Sequence, residues 1–537
     1  LRCRQQLERG TGMKLAEIRD LDGPNLFLLR PAIKVELILE DGETESKLAD
    51  RLASGSVDLD AATRQFFTDV YDQHEQPTPQ FVWRHMDEPG HVSLAFAWVR
   101  RRFAMAVAQL IVDTINGVVD DNIDNHLNHL LNSDARDEFP ECVLDADRSA
   151  IAISVTGTNG KTTTTRLIAH LMQTAGYRTG WNSSSGIYID GEEIEAGDYS
   201  GPSGARRVLE DPSVQAAVLE TARGGILLRG LGYEHNDVSV FTNVSADHLD
   251  LQGVRTLETL AEVKAVVCKV TRPQGVAVVN ADDPLVMVAT ADIVAQRTLF
   301  TQRSDNDAVA SHLASEGRAI LADRDQIVVR KGDQIVGTFP LAEIPMTFGG
   351  RARHMVENAM AGIGAALGAG LGVAQIRAGL LSFRNDSSGN LGRMNIYTCN
   401  GITIVLDFAH NEAGLAFLVD FGRSEIGSDG RLITIIGTAG DRTEHSLREI
   451  GHIAAERSDI VIAKGTHKYL RGRTLDDLMA LYRAGANQCP DTEYHESESE
   501  VSALEDALQI ARSGDVIVLM AQEYLPELTA RLKAIST

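Results

Sequence analysis

The feature that most constrains this chain is an apolar run, Ala150-Ile151-Ala152-Ile153-Ser154-Val155, that passes directly into Thr156-Gly157-Thr158-Asn159-Gly160-Lys161-Thr162-Thr163. The run suits a strand buried on both faces. The glycines let the backbone curl so that successive N–H groups point at one centre. A helical pattern from Lys161 to about Thr174 follows, adding unsatisfied amides and the positive end of its dipole. Lys161 supplies a mobile charge for the β- and γ-phosphates of a nucleotide, and Thr162 a hydroxyl for Mg2+. A tight turn without a ligand would use similar glycines, but the strand-loop-helix context favours ATP. Val155 stands where the first glycine of the eight-residue phosphate loop would be, so the match is to a shorter variant.

Short apolar runs continue downstream. Ala216-Ala217-Val218-Leu219 and Val238-Ser239-Val240-Phe241 suit parallel strands, and their alternation with helical patterns predicts a doubly wound central domain over residues 148–380. Ile320 to Phe348, with the turn Lys331-Gly332-Asp333, reads as a β-rich insertion. Residues 381–537 hold four further strand candidates, Ile402–Leu406, Leu432–Ile436, Ile460–Ala463 and Val516–Met520, separated by helical spacers. They predict a Rossmann-like α/β domain, but no Gly-x-Gly-x-x-Gly follows the first strand, so cofactor binding there does not follow. Residues 13–147 predict an α+β domain. Two strands flank Gly23-Pro24-Asn25, the second alternating over Ile33–Leu39, and Val92–Val99 leads into an amphipathic helix over Phe103–Val118. Residues 119–148 read as an acidic connector. His126 and His129 beside Asp121 and Asp124 are better explained there as a solvated helix end than as a metal site.

Length and composition set the outer bounds. With 537 residues the chain is long enough for about three or four domains, and 43% hydrophobic with 23% charged residues describes a folded protein. No run of about 18 apolar residues suggests a membrane span, and Leu1 to Gln6 lack the apolar core of a secretory signal. Met13 is a candidate start, with the residues before it an upstream extension. Five scattered cysteines argue against a disulfide framework or a cysteine zinc site and point to a reducing cytoplasm. A net charge of −24 disfavours nucleic acid as a partner. The oligomeric state, a homo-oligomer included, is left open.

Two further groups fall at the carboxyl edge of the expected central sheet, where open α/β folds bind ligands. Glu220 follows Val218-Leu219, and His248 lies in Asn243-Val244-Ser245-Ala246-Asp247-His248-Leu249 after Phe241. Mg2+ prefers oxygen ligands, which makes Thr162 and Glu220 apt. By hardness His248 is the poorer metal ligand, and taken alone it reads as structural or as a hydrogen-bond donor.

The octet Thr156–Thr163 resembles the ATP loop of the Mur ligases and folylpolyglutamate synthases. Longer strings are most similar to the C-terminal part of cyanophycin synthetases: Leu219-Glu220-Thr221-Ala222-Arg223-Gly224-Gly225-Ile226-Leu227, Asn243–Leu249, Asn390-Leu391-Gly392-Arg393-Met394-Asn395, Asp407-Phe408-Ala409-His410-Asn411 and Leu470-Arg471-Gly472-Arg473. The resemblance spans about residues 148–537 and extends more weakly to the first region through Ile18–Asn25. Cyanophycin synthetases carry an ATP-grasp domain between these two regions, and here the connector runs straight from one to the other. In that family the ATP-grasp half adds aspartate to the polymer backbone and the Mur-like half adds arginine to its side-chain carboxylate. The resemblance therefore implies the second type of reaction alone.

It also implies roles for single residues. Gly157, Thr158, Asn159, Gly160, Lys161, Thr162 and Thr163 would hold ATP, with Thr162, Glu220 and His248 on the metal side. Lys264 resembles the lysine that many Mur ligases carbamylate to hold a second Mg2+; unmodified, it would be a surface helix cation. Asn280 resembles an adenine-side asparagine. His354 and Asn358 fit a His-x-x-x-Asn pattern on one helix face, with Met355 where relatives carry a second asparagine. Arg393 resembles the arginine that reaches the γ-phosphate, and Asp407 the residue that meets the ribose or metal side. Glu412 replaces a proline common in the family, which alters the stiffness of its loop. The implied activity is ATP-dependent amide formation through an acyl phosphate, with Lys161, His248, Lys264 and Arg393 in the catalytic set. The carboxylate acceptor is an aspartate-rich peptide or a different carboxylate such as a glutamyl chain. Ser183–Gly186 and Gly201–Gly204 lie where acceptor contacts are expected. The amino acid donor stays open, with Asp441 and Glu444 as candidates for holding a cationic amine or as a solvated loop. A nucleotide-binding subunit that works with a separate ATP-grasp partner is the competing reading.

Overall fold

The computed structural model of the chain describes residues 13–40, 42–118, 122–132, 139–246, 252–386, 389–427 and 429–536. Its helices and strands build three sheets in a mixed α/β architecture with parallel sheets, as the alternating patterns predict. The first sheet takes β1 (Met13–Leu21), β2 (Ala32–Leu39), β3 (Phe81–His85) and β4 (His91–Ala97) in the order β1-β2-β4-β3, all antiparallel. The alternation over Ile33–Leu39 puts Ile33, Val35 and Leu37 in the core on one face and Lys34 and Glu36 on the other. β2 is buried on both faces over most of its length, because the helix Arg101–Ile115 packs on one side and Lys34 and Glu36 pair with each other on the other. In the connector, the helix Ile123–Leu131 buries Leu127 and leaves His126 and His129 exposed. Asp121 lies outside the described residues.

The central sheet contains eleven strands. Its parallel part runs β13 (Arg318–Asp323), β12 (Gln296–Thr301), β11 (Thr271–Asn280), β10 (Asn236–Phe241), β5 (Ile151–Thr156), β9 (Ala216–Glu220) and β6 (Thr179–Ser183). Both edges turn antiparallel, through β14 (Gln326–Lys331) and β15 (Gln334–Pro340) on one side and β7 (Gly186–Ile189) and β8 (Glu192–Ala196) on the other. The segment read as a β-rich insertion is thus an extension of the main sheet, since tight turns let each strand pair with its predecessor. β5 lies between β10 and β9, so the loop after it opens at the middle of the carboxyl edge.

The third sheet runs β16 (Asn395–Cys399), β17 (Ile402–Asp407), β21 (Val516–Met520), β18 (Leu432–Ile436), β19 (Ile460–Lys464) and β20 (Glu493–Ser497). The four apolar strands expected from sequence are present and parallel to one another, while β16 pairs antiparallel with β17. β20, Glu-Tyr-His-Glu-Ser, carries no apolar run and has no sequence signal of that kind. A buried ion pair, Lys464 Nζ to Glu500 Oε1 at 2.5 Å with both side chains fully buried, stiffens the carboxyl edge of this sheet. Glu500 also accepts from the backbone N–H groups of Gln522, Glu523 and Tyr524, while Gln522 Nε2 donates to the Ala409 carbonyl at 2.5 Å. The network fixes the segment that follows Asp407, and one hydrophobic cluster runs from Ile153 and Leu167 through Met355 to Met394 and Val405, joining the second and third sheets.

The first sheet leans on the helix Leu257–Lys269. Asp87 accepts from the backbone N–H of Arg255 at 2.6 Å and Thr256 at 3.1 Å and from Thr259 Oγ1 at 2.8 Å, and Arg84 pairs with Glu262 at 2.5 Å. That helix carries Lys264. Among the described residues no helix is long and apolar enough to cross a membrane.

Candidate active site

The phosphate loop is built by its neighbours as much as by its glycines. Gly160 takes φ +84° and caps the helix Lys161–Thr174 without any side-chain cap, which leaves the first helical N–H groups pointing outward. A Cβ on Gly157 would lie 1.9 Å from Thr242 Oγ1 and one on Gly160 would lie 2.3 Å from Asn358 Oδ1, so neither position accepts a side chain. Strand β10 feeds the segment that braces the loop. The Thr158 N–H donates to the Asn243 carbonyl at 2.8 Å, the Asn159 N–H to Asn243 Oδ1 at 2.9 Å, and Thr242 Oγ1 to the Asn159 carbonyl at 2.7 Å.

Lys161 Nζ folds back onto the Thr158 carbonyl at 2.8 Å. Thr162 Oγ1 donates to Glu220 Oε1 at 3.1 Å. Glu220 ends β9 and is buried, and its second oxygen, Oε2, has no hydrogen-bond partner among the described residues. Burial pushes this carboxyl above its ordinary range against the opposing pull of Lys161 and Arg393. An orphaned carboxylate oxygen beside a threonine hydroxyl is the oxygen donor set that a divalent cation needs.

Lys264 is not a surface cation. It is buried and its Nζ donates to the Gly157 carbonyl at 2.6 Å, tying its helix to the first glycine of the loop. His248 lies outside the described residues. Asn280, the last residue of β11, is also buried; its Nδ2 donates to the Thr242 carbonyl and to Glu357 Oε1, both at 2.7 Å. Glu357 rather than Asn280 lines the cleft, and desolvation pushes the Glu357 carboxyl up to about 7.

That cleft opens between the loop, the helix Arg353–Gly368 and the segment after β17. His354 and Asn358 both face it, as their spacing predicts. The rings of His354 and Phe417 lie 5.4 Å apart at 34°, forming a flat-sided slot at one end. Burial lowers the His354 imidazole and favours its neutral form. Arg393 and Asp407 come from the third sheet. Arg393 Nη2 donates to Thr162 Oγ1 at 3.3 Å and its guanidinium lies 4.5 Å over the Phe408 ring. Asp407 accepts from the Met394 N–H at 2.9 Å, which holds the turn that carries Arg393. Asn411 Nδ2 bridges to Asn159 Oδ1 at 3.0 Å, a second tie between the third sheet and the loop.

Sequence reasoning missed Glu357, Phe417 and Arg166. Glu357 follows His354 by three positions and so shares its helix face, a signal that was present. Phe417 and Arg166 gave none, since an aromatic or an arginine on an amphipathic helix is ordinary. The suggested donor contacts do not converge: Asp441 pairs with Arg471 at 2.6 Å, and Glu444 pairs with Arg448 along an exposed helix surface at 2.9 Å.

Two family models match, the Mur ligase middle domain over residues 155–366 and the Mur ligase, glutamate ligase domain over residues 392–522. The chain carries the middle and C-terminal domains of a Mur ligase. It is 38% identical over 371 residues to the cyanophycin synthetase of Trichormus variabilis, a match that covers 69% of this chain and 41% of that protein. The chain therefore spans about two-fifths of the length of this relative. Among solved structures it is similar to E. coli FolC in complex with DHPP and ADP, with a TM-score of 0.53 and 19% identity over 72% of this chain and 90% of that one. A bifunctional folylpolyglutamate synthase/dihydrofolate synthase with Mn, AMPPNP and L-glutamate bound gives a TM-score of 0.53 at 19% identity, covering 72% and 91%. These two likenesses show a shared Mur-type fold.

Proposed function

We propose that this chain is an ATP-dependent carbon–nitrogen ligase of Mur type, which activates a substrate carboxylate as an acyl phosphate and joins it to an amino acid amine. The observation that carries this reading is the meeting of Lys161 and Thr162 from the central sheet with Arg393 and Asp407 from the third sheet around one cleft, with Glu220 bonded to Thr162 behind it. In this reading the cleft takes ATP, with phosphates on the loop and the base toward His354 and Phe417. The solved relative with Mn and AMPPNP supports a nucleotide and a divalent cation in a site of this fold. Thr162 and Glu220 fit an oxygen-preferring cation, Mg2+ in the cell, which would neutralise phosphate charge. Lys264, carbamylated, and His248 are the further ligands that the family pattern suggests.

A carboxylate oxygen attacks the γ-phosphorus, the bond to the β-phosphate oxygen breaks, and ADP leaves. The amine nitrogen then attacks the acyl carbon and loses a proton, and the tetrahedral intermediate expels phosphate. The net change is carboxylate plus ammonium plus ATP to amide, ADP, phosphate and one proton. Lys161 would meet charge on the transferring group, and Arg393, whose guanidinium lies over the Phe408 ring, would meet the γ-phosphate. The Asn411–Asn159 tie and the shared core keep the two sheets together, so that water is excluded from the acyl phosphate.

The test is ADP release by the purified chain with aspartate-rich peptides and glutamyl chains as acceptors and single amino acids as donors, followed by product mass. We expect turnover that needs both substrates and a product heavier by one amino acid residue. Turnover only after adding a separate ATP-grasp protein would favour the subunit reading instead.

A further inference from the structure

Arg166 lies one helical turn beyond Thr162, outside the nucleotide cleft. Its Nη2 donates to Ser185 Oγ at 2.9 Å, and its Nη1 donates to Asn390 Oδ1 and to the Leu391 carbonyl, each at 3.0 Å. All three partners are neutral. Arg393 approaches the same region through Thr162 Oγ1, which itself lies 3.4 Å from Ser184 Oγ. Two half-buried guanidinium groups and two serine hydroxyls thus border one space beside Thr162.

Neither arginine has a carboxylate within ion-pair distance among the described residues. This contrasts with Arg148, which pairs with both Asp145 and Asp237, or Arg272, which pairs with the same two acids. In a chain of net charge −24, both guanidinium groups are thus held by neutral partners, with Glu220 and Asp407 acting on them only from beyond ion-pair distance. Burial and the charge of Arg393 hold the Arg166 guanidinium down to about 10. Partly buried like charges cost free energy unless an anion completes them, and a guanidinium fork held by neutral partners is preorganised for a planar carboxylate.

We propose that Arg166, with Ser185, forms a carboxylate subsite beside Arg393 that takes the reacting carboxylate of the acceptor. The inference rests on the ligase reading and deepens it. Arg393 lines the nucleotide cleft and Arg166 does not, which assigns the phosphate side to the first and the acceptor side to the second. Trp181, stacked on Tyr188 at 3.9 Å, lies under the Arg166 guanidinium at 5.9 Å and gives the subsite a flat wall.

The experiment uses the full chain saturated with ADP and Mg2+. Binding of N-acetyl-L-aspartate is compared with that of N-acetyl-L-asparagine amide, which has no carboxylate, in wild type, Arg166→Met and Arg166→Lys. We expect the aspartate probe alone to bind wild type, at least about tenfold weaker binding in Arg166→Met, partial recovery in Arg166→Lys, and ADP affinity within about twofold throughout. Unchanged ADP affinity also reports that the variants are folded. Equal affinity of wild type and Arg166→Met for the aspartate probe, or no preference of wild type for it over the amide, would overturn the subsite. Failure of wild type to bind ADP would instead remove the ligase reading.

Discussion

Lys161→Ala is expected to abolish ADP formation, a loss of at least about 10³-fold in turnover, while leaving the fold intact. Lys161 is half-exposed at the first turn of its helix, and its only described hydrogen bond is to the Thr158 carbonyl of its own loop. Removing it costs the loop one part-buried hydrogen bond, that to the Thr158 carbonyl. The loop conformation is carried by other contacts: Thr242 and Asn243 on one side, and the Lys264 Nζ on the Gly157 carbonyl on the other. Thermal melting of the ligand-free variant should match that of wild type, whereas the stabilisation that ATP confers on wild type should be largely lost. Normal turnover in this variant would remove the role assigned to the loop.

Glu220→Gln should show two effects of opposite sign. The amide keeps the shape and one acceptor oxygen for Thr162 but removes the charge that a cation needs. We expect apparent divalent-metal affinity to fall by about 10²-fold or more, with turnover falling alongside. The ligand-free protein should respond differently. The Glu220 carboxyl is raised from its ordinary value of 4.5 by burial, so folding favours its protonated form. That contribution is fully present below the unfolded value and is lost as pH rises through the higher folded value. Wild type thus carries a penalty at neutral and higher pH that Glu220→Gln lacks. Denaturant titrations from pH 5 to 8 should show the variant gaining stability on wild type as pH rises. A difference independent of pH would contradict the buried, raised carboxyl.

The central site was largely legible because its signal is local. Strand β5, the glycine loop and the helix Lys161–Thr174 occupy one continuous stretch, and the helix begins and ends where the pattern predicts. Glu220 could be read because β9 ends on it, which fixes its place at the carboxyl edge. What sequence could not supply was which long-range neighbours close the cleft. The Lys264 spacing said helix, but only the packing of that helix beneath the loop makes it a buried donor to Gly157. Arg166 had no signal because its meaning depends on Ser185 and Asn390, one in the β6–β7 turn and one just before β16. The edge strands β13 to β15 read as an insertion for a similar reason, since pairing onto a parallel sheet leaves no mark on a short hairpin.

The most direct test of the account follows oxygen. An acceptor whose reacting carboxylate carries oxygen-18 at both oxygens is turned over by the full chain with ATP and the amine donor, and the released phosphate is weighed by mass spectrometry. Activation through an acyl phosphate leaves one carboxylate oxygen bonded to phosphorus, so one labelled oxygen should appear in each phosphate formed. Amide product accompanied by unlabelled phosphate would contradict the account.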